Sequence, residues 1–215
     1  MSKPVTIDFV SDVSCPWCVI GLKSLEQALG KLDGEVDATL RFHPFELNPA
    51  MGPAGQDIGE HLQQKYGAGE AQRAQTQAML RERAAALGFD FVQGARSRIY
   101  NTFDAHRLLH WAALEGRQRA LKLALFEAYF SKGEDPSSHA VLTRVAAEVG
   151  LDAVEAAAVL ASERYAGDVR QEEAFYQEQG INSVPAIIIN ERHLISGGQP
   201  PEVFEQALRQ ILALG

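Results

Sequence analysis

The stretch Ser11-Asp12-Val13-Ser14-Cys15-Pro16-Trp17-Cys18-Val19-Ile20-Gly21 lies where one periodicity gives way to another. Before it, Val5-Thr6-Ile7-Asp8-Phe9-Val10 alternates apolar and polar residues and reads as a strand running into a loop at Ser11 to Ser14. From Pro16 onward Ile20, Leu22, Leu25, Ala28 and Leu29 follow helical spacing, and Gly30 and Gly34 punctuate the end. Ser14 and Cys15 therefore fall at a helix N-terminus, where proline is tolerated in the first turn. The unpaired N–H groups and partial positive charge there favour a thiolate at Cys15, and thiol exchange needs a thiolate as nucleophile. Cys18 stands three residues on, about one turn deeper. This spacing makes Cys15 the expected exposed attacker. Cys18 is the expected shielded resolver, which releases the partner from a mixed disulfide at Cys15.

These are the two cysteines of the chain. A secreted scaffold stapled by disulfides would spread more of them along the sequence. A bridge between Cys15 and Cys18 closes a very short loop and constrains the unfolded chain little, so chemistry explains the pair better than stability does. Zinc calls for about four ligands. His106 and His110, at i, i+4 on an expected helix, are not tied to Cys15 by anything in the sequence, and no metal site is expected. An inert pair is the bland alternative.

Further along, Asp37 to Phe45 alternates with Ala38, Leu40 and Phe42 on one face, and Leu47 to Gln56 is a Pro- and Gly-rich loop. Ala- and Leu-rich helical spacing then runs through 58–66, 71–87, 102–115, 120–130, 140–149 and 153–161, with glycines between the segments. A helix over Asp168 to Gln179 ends at Gly180. Pro185 to Ile189 reads as a buried strand, Asn190-Glu191-Arg192 as a turn, His193 to Ser196 as its partner strand and Val203 to Leu214 as a last helix. Strand-helix-strand plus strand-strand-helix predicts an α/β fold with a mixed sheet. The first unit implies parallel neighbours and the second a hairpin, with an all-helical insertion between them.

The chain has 215 residues, 46% hydrophobic and 22% charged, enough for a sizeable core in one large domain or one domain with an insertion. Its net charge of −8 supplies no global field to attract nucleic acid or an anionic membrane, so neither is expected as a partner. The most apolar runs, such as Val184 to Asn190, fall well under the ~20 residues of a spanning helix. Met1-Ser2-Lys3-Pro4 leads straight into the first strand without an apolar signal core, so a cytoplasmic location is expected.

Val184-Pro185 stands before the Ile187-Ile188-Ile189 run. A proline at the head of a strand is often an edge device, and only roughly 5% of X–Pro bonds are cis. The order of elements changes that reading. Several stretches together resemble the DsbA-like branch of the thioredoxin superfamily and, within it, the FrnE-like cytoplasmic oxidoreductases. They are 11–21, Phe42-His43-Pro44-Phe45-Glu46-Leu47-Asn48-Pro49, Asn101 to Arg107, Glu127-Ala128-Tyr129-Phe130, Gly180 to Pro185 and Ile195-Ser196-Gly197-Gly198-Gln199-Pro200. The likeness spans nearly the whole chain. It implies a discontinuous thioredoxin-like domain over 1–56 and 166–215, with a helical insertion over 57–165. It also implies that Pro185 is cis and faces Cys15, that the Val184 backbone pairs with an extended substrate, and that Pro44 to Pro49 flanks the site. Pro16, Trp17, Val184 and Pro185 are thus the expected substrate-binding residues, and Cys15 and Cys18 the catalytic ones.

The function so implied is thiol–disulfide exchange, as oxidoreductase or isomerase, on peptides, proteins or small thiols. No tightly bound cofactor is expected, with glutathione as redox partner or co-substrate; the sequence leaves oligomeric state and the direction of electron flow open. Two other readings compete. Kappa-class glutathione transferases and hydroxychromene-carboxylate isomerases usually have Ser-Pro where this chain has Cys15-Pro16. Their late loop carries a Ser-Asp-Arg-like element where this chain reads Gly198-Gln199-Pro200; Asn101 is a shared-looking feature. A non-catalytic peptide-binding chaperone would use a groove beside Cys15 near Trp17, Phe45 and Leu47. Trp17 reads equally as a rim residue covering the thiols. His43 is expected beside the site or in solvent, and Asp104, His106 and Arg107 as a structural cluster that nothing in the sequence places beside Cys15.

Overall fold

The computed structural model describes residues 2–214; Met1 and Gly215, which the sequence reading includes in the outer domain, lie outside the described residues. Strand β1 (Lys3–Ser11) leads into helix α1 (Pro16–Lys31) and strand β2 (Val36–Pro44). The helical segment opens with the short strand β3 (Gln56–Asp57), α2 (Ile58–Tyr66), α3 (Glu70–Ala86) and the short strand β4 (Arg98–Ile99). It continues with α4 (Phe103–Leu114), α5 (Gln118–Phe126), α6 (His139–Glu148), α7 (Ala153–Leu160) and α8 (Ala166–Glu178). The chain then returns through β5 (Ala186–Ile189), β6 (His193–Ser196) and α9 (Pro201–Leu214).

The main sheet has the order β2-β1-β5-β6. β1 and β2 are parallel, as a strand-helix-strand unit requires, while β1–β5 and β5–β6 are antiparallel. Opposite pairs Ile7–Ile189 and Phe9–Ile187 put fully buried side chains on one face, against Leu22 and Leu25 of α1 and Phe204 and Leu208 of α9. Asn190 and Glu191, both at positive φ, turn β5 into β6, and Asn190 Oδ1 accepts from the Thr6 N–H at 3.0 Å. The fold is thus the expected α/β arrangement of a mixed sheet with a helical insertion.

The insertion has a core of its own, built on Leu108, Leu121, Leu125, Leu142 and Val159. Val13 belongs to that core although it sits in the β1–α1 loop. One residue therefore plugs the loop carrying Cys15 into the helical layer.

Two features depart from the sequence expectation. The loop expected over Leu47 to Gln56 gives its last residue to the β3–β4 ribbon, where Gln56 pairs with Ile99; two residues are too few to show a period. The helix expected to run to Phe130 ends at Phe126 and widens into a π turn over Glu127–Ser131. The wider turn buries Ala128, Tyr129 and Phe130 in succession, and Tyr129 Oη donates to the Arg98 carbonyl at 2.8 Å.

Candidate active site

The β1–α1 loop is shaped by Asp12. Its Oδ1 accepts from the Ser14 N–H at 3.1 Å and its backbone oxygen from the Cys15 N–H at 3.3 Å. Its Oδ2 accepts from the Leu47 N–H at 2.7 Å, tying the segment after β2 to the same loop. Burial pushes the Asp12 carboxyl up, but His106 and the two N–H groups outweigh it and hold the group below the usual carboxylate range. His106 Nε2 stands 3.7 Å from Asp12 Oδ1, beyond hydrogen-bond distance, and has no other partner.

Cys15 occupies the N-cap of α1 with extended backbone, and Pro16 opens the first turn. The Cys15 sulfur lies 3.7 Å from the Val184 carbonyl oxygen, and the Val184–Pro185 bond is cis. Cys18 is completely buried behind it, and the two thiols are free. Burial, then a hydrogen bond to Cys15, raise the Cys18 thiol well above its ordinary range; Lys122 pulls the other way. The expectation of an exposed Cys15 is corrected. The residue is 3% exposed, with the carbonyl of the Val184–Pro185 turn against its sulfur.

Glycines let the surrounding elements close in. A Cβ on Gly21 would stand 3.0 Å from Pro185 Cγ, and one on Gly198 would stand 2.9 Å from the Trp17 carbonyl oxygen. The Arg83 guanidinium lies 5.2 Å from the Trp17 ring centre and donates to the Gly198 carbonyl at 3.0 Å. Trp17 is thus held as part of the rim. Phe45 packs with Val10 and Tyr176, whereas Trp17 and Leu47 pack on the main core. Beside Pro16 opens a groove of about 180 Å³, with Leu80, Phe91 and Phe130 as apolar lining and Arg81, Arg96 and Gln93 as polar lining.

α2 is fastened over the flank of the site by Lys65, which donates to the Leu47 carbonyl and to Asn48 Oδ1, each at 2.7 Å. Asn101 is committed to the same flank. Its Nδ2 donates to Glu46 Oε2 at 3.1 Å and to the Pro49 carbonyl at 3.3 Å, while its Oδ1 accepts from the Phe103 N–H. Arg170 pairs with the other Glu46 oxygen and with Glu173.

His43 is not in solvent: its two ring nitrogens meet Glu172 Oε1 at 2.6 Å and Asp8 Oδ1 at 2.8 Å. The expected structural cluster divides. Arg107 binds Asp104 and the carbonyls of Val159, Ser162 and Arg164, while His106 turns to Asp12. Lys122, unremarked in the sequence, is fully buried, and burial lowers its ammonium to about 8. A signal was present: Leu121, Leu125 and Phe126 form the apolar stripe of α5, and Lys122 stands inside it. Among the described residues no group of three or more His, Cys, Asp or Glu is placed to hold a metal ion, and no helix is long and apolar enough to cross a membrane.

Comparison with known proteins places this geometry. The family model of the DSBA-like thioredoxin domain matches residues 6–209. A probable DsbA oxidoreductase from Streptomyces coelicolor superposes with a TM-score of 0.91 at 33% identity, covering 97% of this chain and 90% of its own. The protein YwbO of Bacillus subtilis is 28% identical over 205 residues, 95% of this chain and 96% of its own. The cytosolic disulfide reductase DsbM of Pseudomonas aeruginosa, solved with GSH, shares the fold at 19% identity with a TM-score of 0.67, covering 97% and 99% of the two chains.

Proposed function

The chain belongs to the DsbA-like thioredoxin family, and from that premise we propose that it catalyses thiol–disulfide exchange with Cys15 as nucleophile and Cys18 as resolving thiol. The observation that carries this reading is the pair of free thiols at the head of α1, with Cys15 Sγ 3.7 Å from the Val184 carbonyl. The Cys15 thiolate attacks one sulfur of a substrate disulfide, forming a mixed disulfide and releasing the other sulfur as a thiolate. Cys18 then attacks Cys15, the Cys15–Cys18 bond forms, and the substrate leaves with the electron pair. The Val184 backbone and Pro185 align an extended substrate, and Pro16 and Trp17 border it. Substrates are disulfide- or thiol-bearing peptides, proteins or small thiols. Glutathione serves as redox partner, and no bound cofactor takes part.

Use of the site as a glutathione-dependent isomerase is the weaker reading. Cys15 stands where those enzymes carry serine, the late loop offers Gly198-Gln199-Pro200, and the Asn101 amide is already spent on Glu46 and Pro49. A cytoplasmic location agrees with reductase or isomerase work, since that compartment keeps thiols reduced.

Equilibration in glutathione redox buffers, followed by acid quenching, alkylation and peptide mapping, tests the proposal. A reversible two-electron transition between dithiol and Cys15–Cys18 disulfide is expected, and its midpoint gives the direction of flow. Two thiols that stay reduced while glutathione binds without a covalent bond would overturn it.

A further inference from the structure

The Val184–Pro185 turn is held from behind. The Pro185 carbonyl accepts from the Gly197 N–H at 2.8 Å, so the turn leans on the loop that follows β6. That loop is Gly197-Gly198, with Gly197 at a φ of +82°, and two glycines in succession leave the backbone more freedom than any other pair. Gln199 closes a local turn within it, its N–H on the Gly197 carbonyl and its Nε2 on the Ser196 carbonyl, each at 2.9 Å. The Gly198 carbonyl is held from outside. Arg83 reaches it from α3, 115 residues earlier in the chain, with one guanidinium nitrogen at 3.0 Å. Leu80 and Ala84 bury one side of α3 in the main core, and Arg83, three residues after Leu80, stands beside them. Its guanidinium carbon lies 5.2 Å from the Trp17 ring centre, a second hold on the same group. The space it closes is tight. A Cβ at position 198 would stand 2.9 Å from the Trp17 carbonyl oxygen, and a Cβ at position 21 would stand 3.0 Å from Pro185 Cγ and 3.6 Å from Gly198 Cα. α1, the loop and the turn therefore meet in one contact surface, with Arg83 as its outer clasp.

We propose that Arg83 is a positioning residue for peptide substrates: it acts through the Gly197-Gly198 loop on Pro185, and so sets where the Val184 backbone stands beside Cys15. This rests on the exchange reading above. The path has three contacts. Arg83 meets the Gly198 carbonyl at 3.0 Å, the Gly197 N–H meets the Pro185 carbonyl at 2.8 Å, and the Val184 carbonyl lies 3.7 Å from Cys15 Sγ. Peptide bonds join 198 to 197 and 185 to 184. Without the guanidinium, the carbonyl of the buried Gly198 loses its side-chain donor, and the loop has no side chain of its own to keep it against Trp17. An extended peptide pairs its backbone with Val184 and loses affinity when that backbone shifts, because hydrogen bonds weaken steeply with misalignment. A small disulfide has no peptide backbone to align and needs only a path to the Cys15 sulfur. Arg83 thus separates two substrate classes that share one chemical step: the Cys15 thiolate bonds to one sulfur, and the other departs as a thiolate with the electron pair.

The test compares two disulfides with the same leaving group in single turnovers of the reduced protein. One is bis(2-hydroxyethyl) disulfide; the other is an uncharged, end-capped peptide whose cysteine is bonded to 2-mercaptoethanol. Both are neutral, so loss of the arginine's charge does not by itself separate them. For wild type the peptide rate is expected to saturate with concentration. In Arg83→Met, which keeps an apolar side chain against Trp17, the half-saturating peptide concentration should rise about five- to tenfold, as follows from losing one hydrogen bond, with the limiting rate within about twofold. The second-order rate with the small disulfide should stay within about twofold of wild type. Arg83→Lys, a donor of shorter reach, restores part of the peptide affinity. Gly198→Ala pushes the same loop off Trp17 with Arg83 still in the chain; the same split is expected from it, and it decides the matter should Arg83→Met not fold. A half-saturating peptide concentration unchanged in either folded variant, a loss equal for the two disulfides, or a wild-type peptide rate that does not saturate overturns the proposal and leaves exchange standing. A wild-type protein that reacts with neither disulfide overturns the exchange reading and this proposal with it.

Discussion

Asp12 joins three segments: its own loop through Ser14 and Cys15, the flank after β2 through Leu47, and α4 through His106. Its replacement therefore costs more than one hydrogen bond. Asp12→Ala strands the Ser14 and Leu47 N–H groups in the interior, and each buried orphan costs about 1–3 kcal/mol. We expect the urea midpoint to fall with the slope unchanged, and Asp12→Asn, which keeps one acceptor oxygen, to fall less; equal midpoints for all three proteins would refute this account. The thiols behave differently, because neither holds the loop together with its side chain. Cys15→Ser is expected to abolish exchange while moving stability by no more than about 0.5–1.5 kcal/mol. Cys18→Ser should accumulate substrate bonded to Cys15, visible by mass spectrometry of acid-quenched reactions. Wild-type turnover by Cys15→Ser would remove the central claim.

At the scale of elements, α8 is pinned to the sheet through one histidine. His43 of β2 reaches Asp8 of β1 with Nε2 and Glu172 of α8 with Nδ1, a pair of carboxylates to which both nitrogens donate when the ring is protonated. Burial works against that charge, but Asp8 and Glu172 outweigh it and raise His43 above the ordinary histidine value. The sign follows from linkage: the raised group contributes its full stability below about pH 6.5, the unfolded value, and loses it as pH climbs through the higher folded value. Thermal midpoints across pH 5 to 9 should decline in that upper window for wild type and flatten for His43→Ala; parallel curves would show that His43 carries no such linkage. Elements of this size were largely legible in the sequence. The strand before Cys15, the hairpin at Asn190 and the stops of α3, α4 and α8 before Gly88, Gly116 and Gly180 are written in local alternation and glycine. The β3–β4 ribbon and the π turn were not, since both are decided by partners far along the chain: Gln56 meets Ile99, and Tyr129 meets the Arg98 carbonyl. The site divides in the same way. Cys15 and Cys18 announce themselves by spacing and Pro185 by the order of elements. The bond of Asp12 to Leu47 exists only once the segment after β2 lies against the β1–α1 loop, and the burial of Lys122 only once the insertion has packed.

Over the whole molecule, net charge and local charge point in opposite directions. The chain carries −8 in total, which read alone says that anionic disulfides are repelled. In the groove beside Pro16 the balance is reversed. Arg83 lies against Trp17, and Arg81 and Arg96 line the groove beside Pro16, to which no acidic side chain contributes. Arg96 also stacks over Phe130, its guanidinium 4.8 Å from the ring centre, so its charge stays fixed at the groove wall. Charges within the groove act at a few ångströms, whereas the acidic surplus is spread over the surface and screened beyond about 8–10 Å at moderate salt. The near field therefore governs encounter. Glutathione disulfide, an anion, should react with Cys15 faster than a neutral disulfide of similar reactivity at low ionic strength, and this advantage should shrink several-fold on going from about 20 mM to about 500 mM salt. Arg81→Gln should remove part of the advantage while leaving the neutral disulfide unaffected. Stopped-flow rates for the two disulfides across a salt series decide the matter. An advantage that grows with salt would mean that the acidic surface controls approach and that substrates reach Cys15 by a path outside this groove.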